Sequence, residues 1–391
     1  MSFLRAARAA LVGQICFRRI LAAAAVVLAV LSLSCGNSSH STRAPNHNAY
    51  VTLRATGQVL LLHINGATGA ITLGASTPVV EGTSPNGLAL LPSKKFLYAV
   101  NSQANTISIF NVASDGTLTL SGTPTQAGGS GPDAAVIDPS GKYLLVTNNF
   151  TDDVSVFSID AGSGALTEVA GSPFFANTDP SEILFMPSGK FVYVTNPGGY
   201  GMVTAFSFSN GVLTQVPGSP FTSGLGASGL AVDGSGRFLY VANPSASNPP
   251  PYQSTTGNIS GFNIDSVTGA LSTMLGSPFT STLGIGPTAI TVDPSGRFVY
   301  AVTPGSSSSI WCFTITPTNG QLVAATNSPF SLAAGELFAL IDPSGNFFYI
   351  GSQAGNGIEG YTYNPSTGAL TVIAGSPFST GTAPGKMVLS E

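Results

Sequence analysis

The chain has 391 residues, of which 43% are apolar and only 8% are charged. Disordered chains combine low hydrophobicity with high net charge, so this composition predicts a folded protein with a large core and a surface of neutral polar side chains. Residues 55–391 contain seven basic and 17 acidic residues. This balance excludes nucleic acid as a partner, because phosphate binding needs clustered Lys and Arg.

The first 35 residues have the pattern of an export signal. Arg18 and Arg19 precede an apolar run of 14 residues, ILAAAAVVLAVLSL (20–33), which ends in SCG. That run is short for a membrane span of about 20 residues. The segment LSLSCG resembles a bacterial lipoprotein signal, which implies lipidation of Cys35. We therefore expect an exported protein of the bacterial cell envelope that touches the membrane only through this anchor, with simple secretion as the alternative.

Residues 36–48 are polar and aperiodic, and they predict a tether between the anchor and a single folded domain at 49–391. Within that domain a turn of the form D-P-S-G-[KR]-[FY] recurs, and each copy is flanked by alternating β-branched and aromatic residues such as FVYVTN (191–196). Proline followed by Ser-Gly is typical of a hairpin turn. The copies lie at 91–96, 138–143, 186–191, 233–238, 293–298 and 342–347.

This repeat predicts one four-stranded antiparallel blade of a β-propeller for every turn. Six turns give six blades. Residues 49–75 have the pattern of second, third and fourth strands, and residues 384–390 have that of a first strand. Pairing the two ends gives an all-β, seven-bladed propeller whose ring is closed by N-terminal strands plus the C-terminal strand.

The motif GSPF marks the end of five of the seven blades. It stands at 171–174, 218–221, 276–279 and 375–378, and as NSPF at 327–330. Five copies argue against a single active serine. We expect Ser172 to bond nearby backbone groups and Phe174 to pack between blades.

The sequence YVTN (193–196), its variants and the D-P-S-G turn resemble the lactonase family of seven-bladed propellers, which includes 6-phosphogluconolactonases and YVTN-repeat proteins. The resemblance covers nearly all of residues 49–391. It implies the propeller fold and, for an enzyme, hydrolysis of a sugar lactone. Lactone-acting members carry His and Arg where each first strand begins, whereas no histidine stands at those positions here.

Residues that begin the first strands of a propeller surround one mouth of the central channel. Counting back from each D-P-S-G turn, and placing the C-terminal strand in the same register, gives a first ring of positions and, one residue later, a second ring. Charged or amide side chains at these positions are the candidate ligand-binding residues. They are Asn86, Asp133, Glu182, Glu336 and Lys386.

Lactone hydrolysis needs a base to activate water and a donor to stabilise the oxyanion. Glu182 and Asp133 are the candidate bases, and Lys386 is the candidate electrophilic partner. The loop at 243–258, between a second and a third strand, adds Tyr252 as a candidate ligand contact. His63 in a third strand and Cys312 in SIWCFTI have structural roles in this interpretation.

No motif predicts a metal or a cofactor, and we expect a monomer. The leading functional hypothesis is a non-catalytic module that binds a carbohydrate-like small molecule or an envelope protein at the channel mouth. The alternatives are a lactonase of the 6-phosphogluconolactonase type and a surface-structural or adhesion protein.

Overall fold

The computed structural model describes residues 46–390 apart from 80–83, 245–256, 280–285, 305–307, 327 and 333–335. Within these residues the chain forms β-strands joined by turns, and none of it forms a helix that could cross a bilayer. The predicted export signal with Cys35, residues 36–45 of the predicted tether, and Tyr252 lie outside the described residues. The first strand begins at His47, inside the segment that we assigned to the tether.

Seven antiparallel sheets form the seven blades of a propeller, as predicted. Blade 1 contains β1 (His47–Leu53), β2 (Gln58–Ile64) and β3 (Ile71–Pro78). Blade 2 contains β4 (Pro85–Leu90), β5 (Phe96–Asn101), β6 (Thr106–Val112), β7 (Leu118–Leu120) and β8 (Thr125–Gln126). Blade 3 contains β9 (Pro132–Ile137), β10 (Tyr143–Asn148), β11 (Asp153–Ile159), β12 (Leu166–Glu168) and β13 (Phe174–Phe175). Blade 4 contains β14 (Ile183–Phe185), β15 (Phe191–Asn196), β16 (Met202–Ser209), β17 (Val212–Gln215) and β18 (Phe221–Thr222).

The remaining blades repeat this order. Blade 5 contains β19 (Gly229–Val232), β20 (Phe238–Asn243), β21 (Asn258–Ile264) and β22 (Leu271–Thr273). Blade 6 contains β23 (Ala289–Val292), β24 (Phe298–Thr303), β25 (Ser309–Ile315), β26 (Leu322–Ala324) and β27 (Phe330–Ser331). Blade 7 contains β28 (Glu336–Ile341), β29 (Phe347–Ser352), β30 (Gly357–Tyr363), β31 (Leu370–Val372) and β32 (Phe378–Ser379). The last strand is β33 (Pro384–Ser390).

Strand β33 closes the ring by pairing with β1 as the innermost strand of blade 1, which confirms the predicted closure. The innermost strands β33, β4, β9, β14, β19, β23 and β28 then contact one another in that order, and β28 contacts β33 again. Both chain ends of the domain are therefore held within one sheet. The innermost strands surround the central channel.

The core consists of seven clusters of buried apolar side chains, each shared by two neighbouring blades. The cluster that includes Val51 and Phe347 joins blades 1 and 7, so the packing continues across the closure. Both faces of each blade are covered in this way. This explains why second strands such as β15 are buried at every position, since successive side chains point to opposite faces and both faces are covered.

Six of the seven junctions also carry one specific hydrogen bond. A buried tyrosine of each second strand donates its hydroxyl to a glycine carbonyl in the turn between the third and fourth strands of the next blade, at 2.7–3.0 Å. The pairs are Tyr50–Gly116, Tyr98–Gly164, Tyr193–Gly269, Tyr240–Gly320, Tyr300–Gly368 and Tyr349–Gly69. Burial raises the pKa of each of these tyrosines, to about 12 for Tyr50. They therefore remain neutral donors at physiological pH.

The GSPF motif produces a kink rather than a simple exit from the blade. After the fourth strand the serine hydroxyl accepts a hydrogen bond from a backbone N–H of the third strand, from Val156 to Ser172 at 3.0 Å. The phenylalanine then pairs with the third strand nearer its beginning, Phe174 opposite Val154. Phe174 packs against the cluster shared by blades 3 and 4, as predicted. The serines of the other copies accept in the same way: Ser219, Ser277, Ser328 and Ser376.

Candidate functional site

A polar pocket of about 490 Å³ opens at the channel mouth, on the face where the innermost strands begin. Its walls are the turns between second and third strands of blades 1, 2 and 3, together with the segments that lead into β4 and β9. The residues that line it include two of the predicted ligand-binding residues, Asn86 and Asp133.

Arg54 also lines this pocket, and the sequence interpretation missed it. That interpretation placed Lys386 alone among basic residues at the mouth, because Arg54 was counted with the basic N-terminus. Arg54 directly follows β1, the second strand of its blade, and so occupies the same place in the repeat as Ser102 in blade 2 and Asn149 in blade 3. Its guanidinium is exposed and makes no hydrogen bond or ion pair with any described residue. Five N–H donors of fixed positive charge therefore face the pocket.

Asp133 is held between neighbouring blades by two neutral donors. Asn86 Nδ2 donates to Asp133 Oδ1, and Ser181 Oγ donates to Asp133 Oδ2 at 2.7 Å. The three residues are the first-ring positions of blades 2, 3 and 4. A carboxylate can accept about four hydrogen bonds, so Asp133 keeps acceptor capacity for a ligand hydroxyl or a water molecule.

Threonines of the second strands fix the positions of these ring residues. Thr52 Oγ1 accepts from the Lys386 N–H at 3.0 Å and donates to the Asn86 carbonyl at 3.3 Å. Thr147 Oγ1 donates to the Ser181 carbonyl at 2.8 Å, in the neighbouring blade. Each hydroxyl thus ties one innermost strand to the next. The mouth is preorganised along the arc from blade 1 to blade 4.

Lys386 and Glu182 meet across the channel. Lys386 Nζ donates to Glu182 Oε1, although the two residues belong to blades 1 and 4 of the ring. Both are second-ring positions. Four of the five other blades carry a small residue at the corresponding position, namely Gly87, Ala134, Gly229 and Ala289, and blade 7 carries Leu337.

The pair is neither fully buried nor fully solvated. The exposed fraction of the side chain is 33% for Lys386 and 26% for Glu182. Burial within the channel lowers the pKa of Lys386; the nearby Asp133 carboxylate opposes this shift and the Arg54 guanidinium reinforces it. An ion pair of this exposure stabilises a fold by only about 1 kcal/mol. Its position therefore matters more for ligands than for folding.

A second cavity, of about 190 Å³, lies inside the channel on the side of blades 5, 6 and 7. Lys386 and Glu182 line it together with Ser228, and its remaining lining is largely apolar, including Leu230 and Phe338. The ion pair thus stands beside this inner cavity, while Asp133 and Arg54 belong to the mouth pocket.

Phe150 supplies an aromatic surface at the rim of the mouth pocket. Its ring is 77% exposed and packs against Gly131, where a Cβ atom would lie 2.8 Å from the ring. Gly131 is therefore required for this ring position. Gln103 and Asn149 line the same pocket and leave their side-chain amides unpaired among the described residues. Neither the ring nor the amides were singled out from the sequence.

The other residues singled out from the sequence are not among the described residues that line the mouth pocket. Glu336 begins β28, but its side chain lies outside what the structure describes. His63 is on the third strand β2, where its Nδ1 lies 2.8 Å from Asn48 Oδ1. Cys312 is fully buried, and burial raises the pKa of its thiol to about 12. In the described part of the chain, no three His, Cys, Asp or Glu side chains converge as a metal site would require.

Comparison with solved structures identifies similar propellers. A candidate 6-phosphogluconolactonase from Bacteroides fragilis is 20% identical, with a TM-score of 0.74 over 90% of this chain and 99% of the other. A candidate 6-phosphogluconolactonase from Bacteroides uniformis is 20% identical, with a TM-score of 0.73 over 88% and 99%. The periplasmic gluconolactonase of Pseudomonas aeruginosa is 17% identical, with a TM-score of 0.69 over 88% and 99%. At these identities the likeness establishes the fold alone.

Sequence comparison supplies the family. A search of curated proteins finds no significant match to this chain. The family model described as "Lactonase, 7-bladed beta-propeller" matches residues 38–176 and 255–383, which together are more than half of the sequence. The chain therefore belongs to the lactonase family of seven-bladed β-propellers.

Proposed function

We propose that this propeller is a binding module that takes a carbohydrate-like ligand in the mouth pocket. The observation that carries the proposal is the exposed Phe150 ring beside the unpaired amides of Gln103 and Asn149. An amide both donates and accepts hydrogen bonds, as a sugar hydroxyl does. An aromatic face complements the C–H surface of a sugar ring. Asp133 and Asn86 add further polar contacts at the base of the pocket.

Replacement of Phe150 tests this proposal. We expect F150A to weaken binding of the best neutral saccharide from a glycan panel by at least about tenfold, which corresponds to 1.4 kcal/mol. Titration calorimetry would measure the dissociation constant. F175A is the matched control, because Phe175 is 66% exposed but does not line the pocket. Equal affinities of F150A and F175A would contradict the proposal.

Lactone hydrolysis is the second candidate, favoured by the carboxylate of Asp133 and the guanidinium of Arg54 in one pocket of a lactonase-family protein. Asp133 would activate water, and Arg54 would stabilise the developing oxyanion. Glu182 is the weaker base, because its carboxylate is paired with Lys386. The names of the similar structures support a sugar lactone as the substrate.

Hydrolysis assays on 6-phosphogluconolactone and glucono-1,5-lactone separate the two candidates. If the protein is a lactonase, D133N should lose at least about a hundredfold in kcat/KM while S140A, in the turn at the opposite end of the same innermost strand, stays near wild type. If the protein hydrolyses neither lactone faster than the spontaneous reaction and still binds a saccharide, the lactonase candidate is rejected and the binding module is supported.

We also propose that the chain is exported and anchored through Cys35, as its N-terminal sequence suggests. Labelling of cells with a fatty acid should mark the wild type and leave C35S unmarked. Equal labelling of the two proteins would refute the anchor.

A further inference from the structure

The charges at the mouth are unequally paired. Lys386 Nζ has three N–H donors and uses one, on Glu182; no other hydrogen bond of either head group is made with a described residue. Arg54, nearby, uses none of its five donors within the same part of the chain. Both cations therefore keep free donors, and Lys386 stands close enough to Arg54 and Asp133 of the mouth pocket for their charges to act on it.

The contact between Lys386 and Glu182 is accessible. About a third of the lysine side chain and a quarter of the glutamate side chain are exposed, and both side chains line the inner cavity. An exposed ion pair is weak in water, so another carboxylate can replace one partner at small cost. Removing the lysine from all carboxylates would cost more, because burial disfavours its isolated charge.

Glu182 has the chemistry of an acidic ligand. It presents a carboxylate to Lys386 from the opposite side of the channel. We propose that the mouth selects sugar acids, and that Glu182 holds the place on Lys386 which the carboxylate of a uronic acid takes when it binds. Arg54 provides the second positive charge for that carboxylate. This inference rests on the proposed carbohydrate site and adds the charge of its ligand.

The proposal makes Glu182 a competitor, so its removal should improve binding of an acidic sugar. Affinities for D-glucuronate and D-glucose, which differ in one carboxylate, are measured by calorimetry for the wild type and for E182Q. We expect E182Q to bind glucuronate about fivefold more tightly and glucose with unchanged affinity. The gain should vanish in the double variant E182Q/K386M, because the competition acts through Lys386.

A matched control distinguishes the displacement of Glu182 from Lys386 from a general electrostatic repulsion of glucuronate by negative charge near the mouth. Asp179 lies in the segment that leads to the same mouth, and D179N removes the same charge without touching Lys386. We expect D179N to bind glucuronate as the wild type does. A D179N gain as large as that of E182Q would overturn the proposal, since long-range repulsion would then explain both.

The outcomes distinguish the two proposals. If glucose binds but glucuronate binds no more tightly to E182Q than to the wild type, the displacement is wrong and the saccharide site stands. If neither sugar nor any member of the glycan panel binds the wild type or E182Q, the saccharide site is wrong and the displacement falls with it. Circular dichroism of each variant verifies that the fold is retained.

Discussion

Lys386 is the residue in which the ring departs most from its own repeat. Its counterparts at the second-ring position are Gly87, Ala134, Gly229, Ala289 and Leu337, with Glu182 opposite. Lys386 reaches Glu182 across the channel, while burial penalises its charge. The same residue therefore spans the channel and offers a charge to ligands.

The lowered pKa of Lys386 predicts the pH dependence of acid binding in E182Q. A lysine binds a carboxylate in its ammonium form, which predominates below its pKa and is lost as the pH rises through it. Burial and Arg54 lower that pKa, so glucuronate affinity should begin to fall at a lower pH than for a solvent-exposed lysine, whose pKa is about 10.4. Calorimetry from pH 7 to pH 10 measures this fall.

A control variant isolates the effect to Lys386. The control variant E182Q/K386R carries a guanidinium instead and should show a flat profile. A flat profile in E182Q itself would contradict the prediction.

Single residues also show where sequence reasoning stops. Counting from the D-P-S-G turns located Asn86, Asp133, Glu182 and Lys386, because the repeat fixes which position begins each innermost strand. Arg54 could have been found by the same alignment, since it directly follows a second strand. Phe150 could not, because its ring position depends on Gly131 of a separate segment.

At the scale of the element, the serine of GSPF accepts a hydrogen bond from a backbone N–H of the third strand. In blades 3, 4, 6 and 7 the outer side of the third strand pairs first with the fourth strand and then, past the kink, with a strand of two residues such as β13 or β18. At the kink the ladder is interrupted, and the serine oxygen supplies the missing acceptor. The two-residue strands have no signature in the sequence, because they exist only once the kink has turned the chain back onto the sheet.

We predict that S219A destabilises the propeller by about 1–2 kcal/mol. Ser219 Oγ accepts from the N–H of the fully buried Ala205 at 2.9 Å, and a buried donor without an acceptor carries a penalty of this size. Urea unfolding followed by fluorescence would measure the free energy. S209A, an exposed serine of the same blade, should change it by less than about 0.5 kcal/mol. Equal effects of the two substitutions would be the contrary result.

The junction of blades 3 and 4 shows that the repeat varies in matched pairs. Leu145 stands where six other blades have the buried tyrosine. The acceptor turn of the next blade is also changed, to a short Asn210-Gly211 hairpin in β16–β17. A donor without its acceptor would be costly in the core. Blade 3 lacks the tyrosine donor and blade 4 lacks the turn with the glycine acceptor, so no buried tyrosine hydroxyl is left without a partner at this junction. The substitution in one blade is explained only by the change in the other.

At the scale of the whole molecule, ring closure was predictable from the strands at the two ends of the domain. The N-terminal end lacks the first strand of a blade, and the C-terminal end supplies one. β33 pairs with β1 from Asn48 opposite Ser390 to Leu53 opposite Pro384, and it carries Lys386 into the channel. Stability and the site thus share one C-terminal strand. Ligand identity was not predictable in the same way, because it depends on side chains from several blades that only the closed ring brings together.

We expect deletion of residues 384–391 to abolish cooperative unfolding, because it removes the innermost strand of blade 1 and exposes the apolar clusters on both sides. A permuted chain tests whether connectivity or pairing matters. Leu389 lies opposite Ala49 as Ile137 lies opposite Leu144, so residues 384–389 can be placed before residue 48 through an Asp-Pro-Ser-Gly-Lys turn, as β9 is joined to β10 by residues 138–142. The permuted protein should unfold cooperatively, with a midpoint near that of the wild type, in calorimetry. If the permuted chain fails to fold while the truncated chain unfolds cooperatively, then β33 does not close the ring in solution.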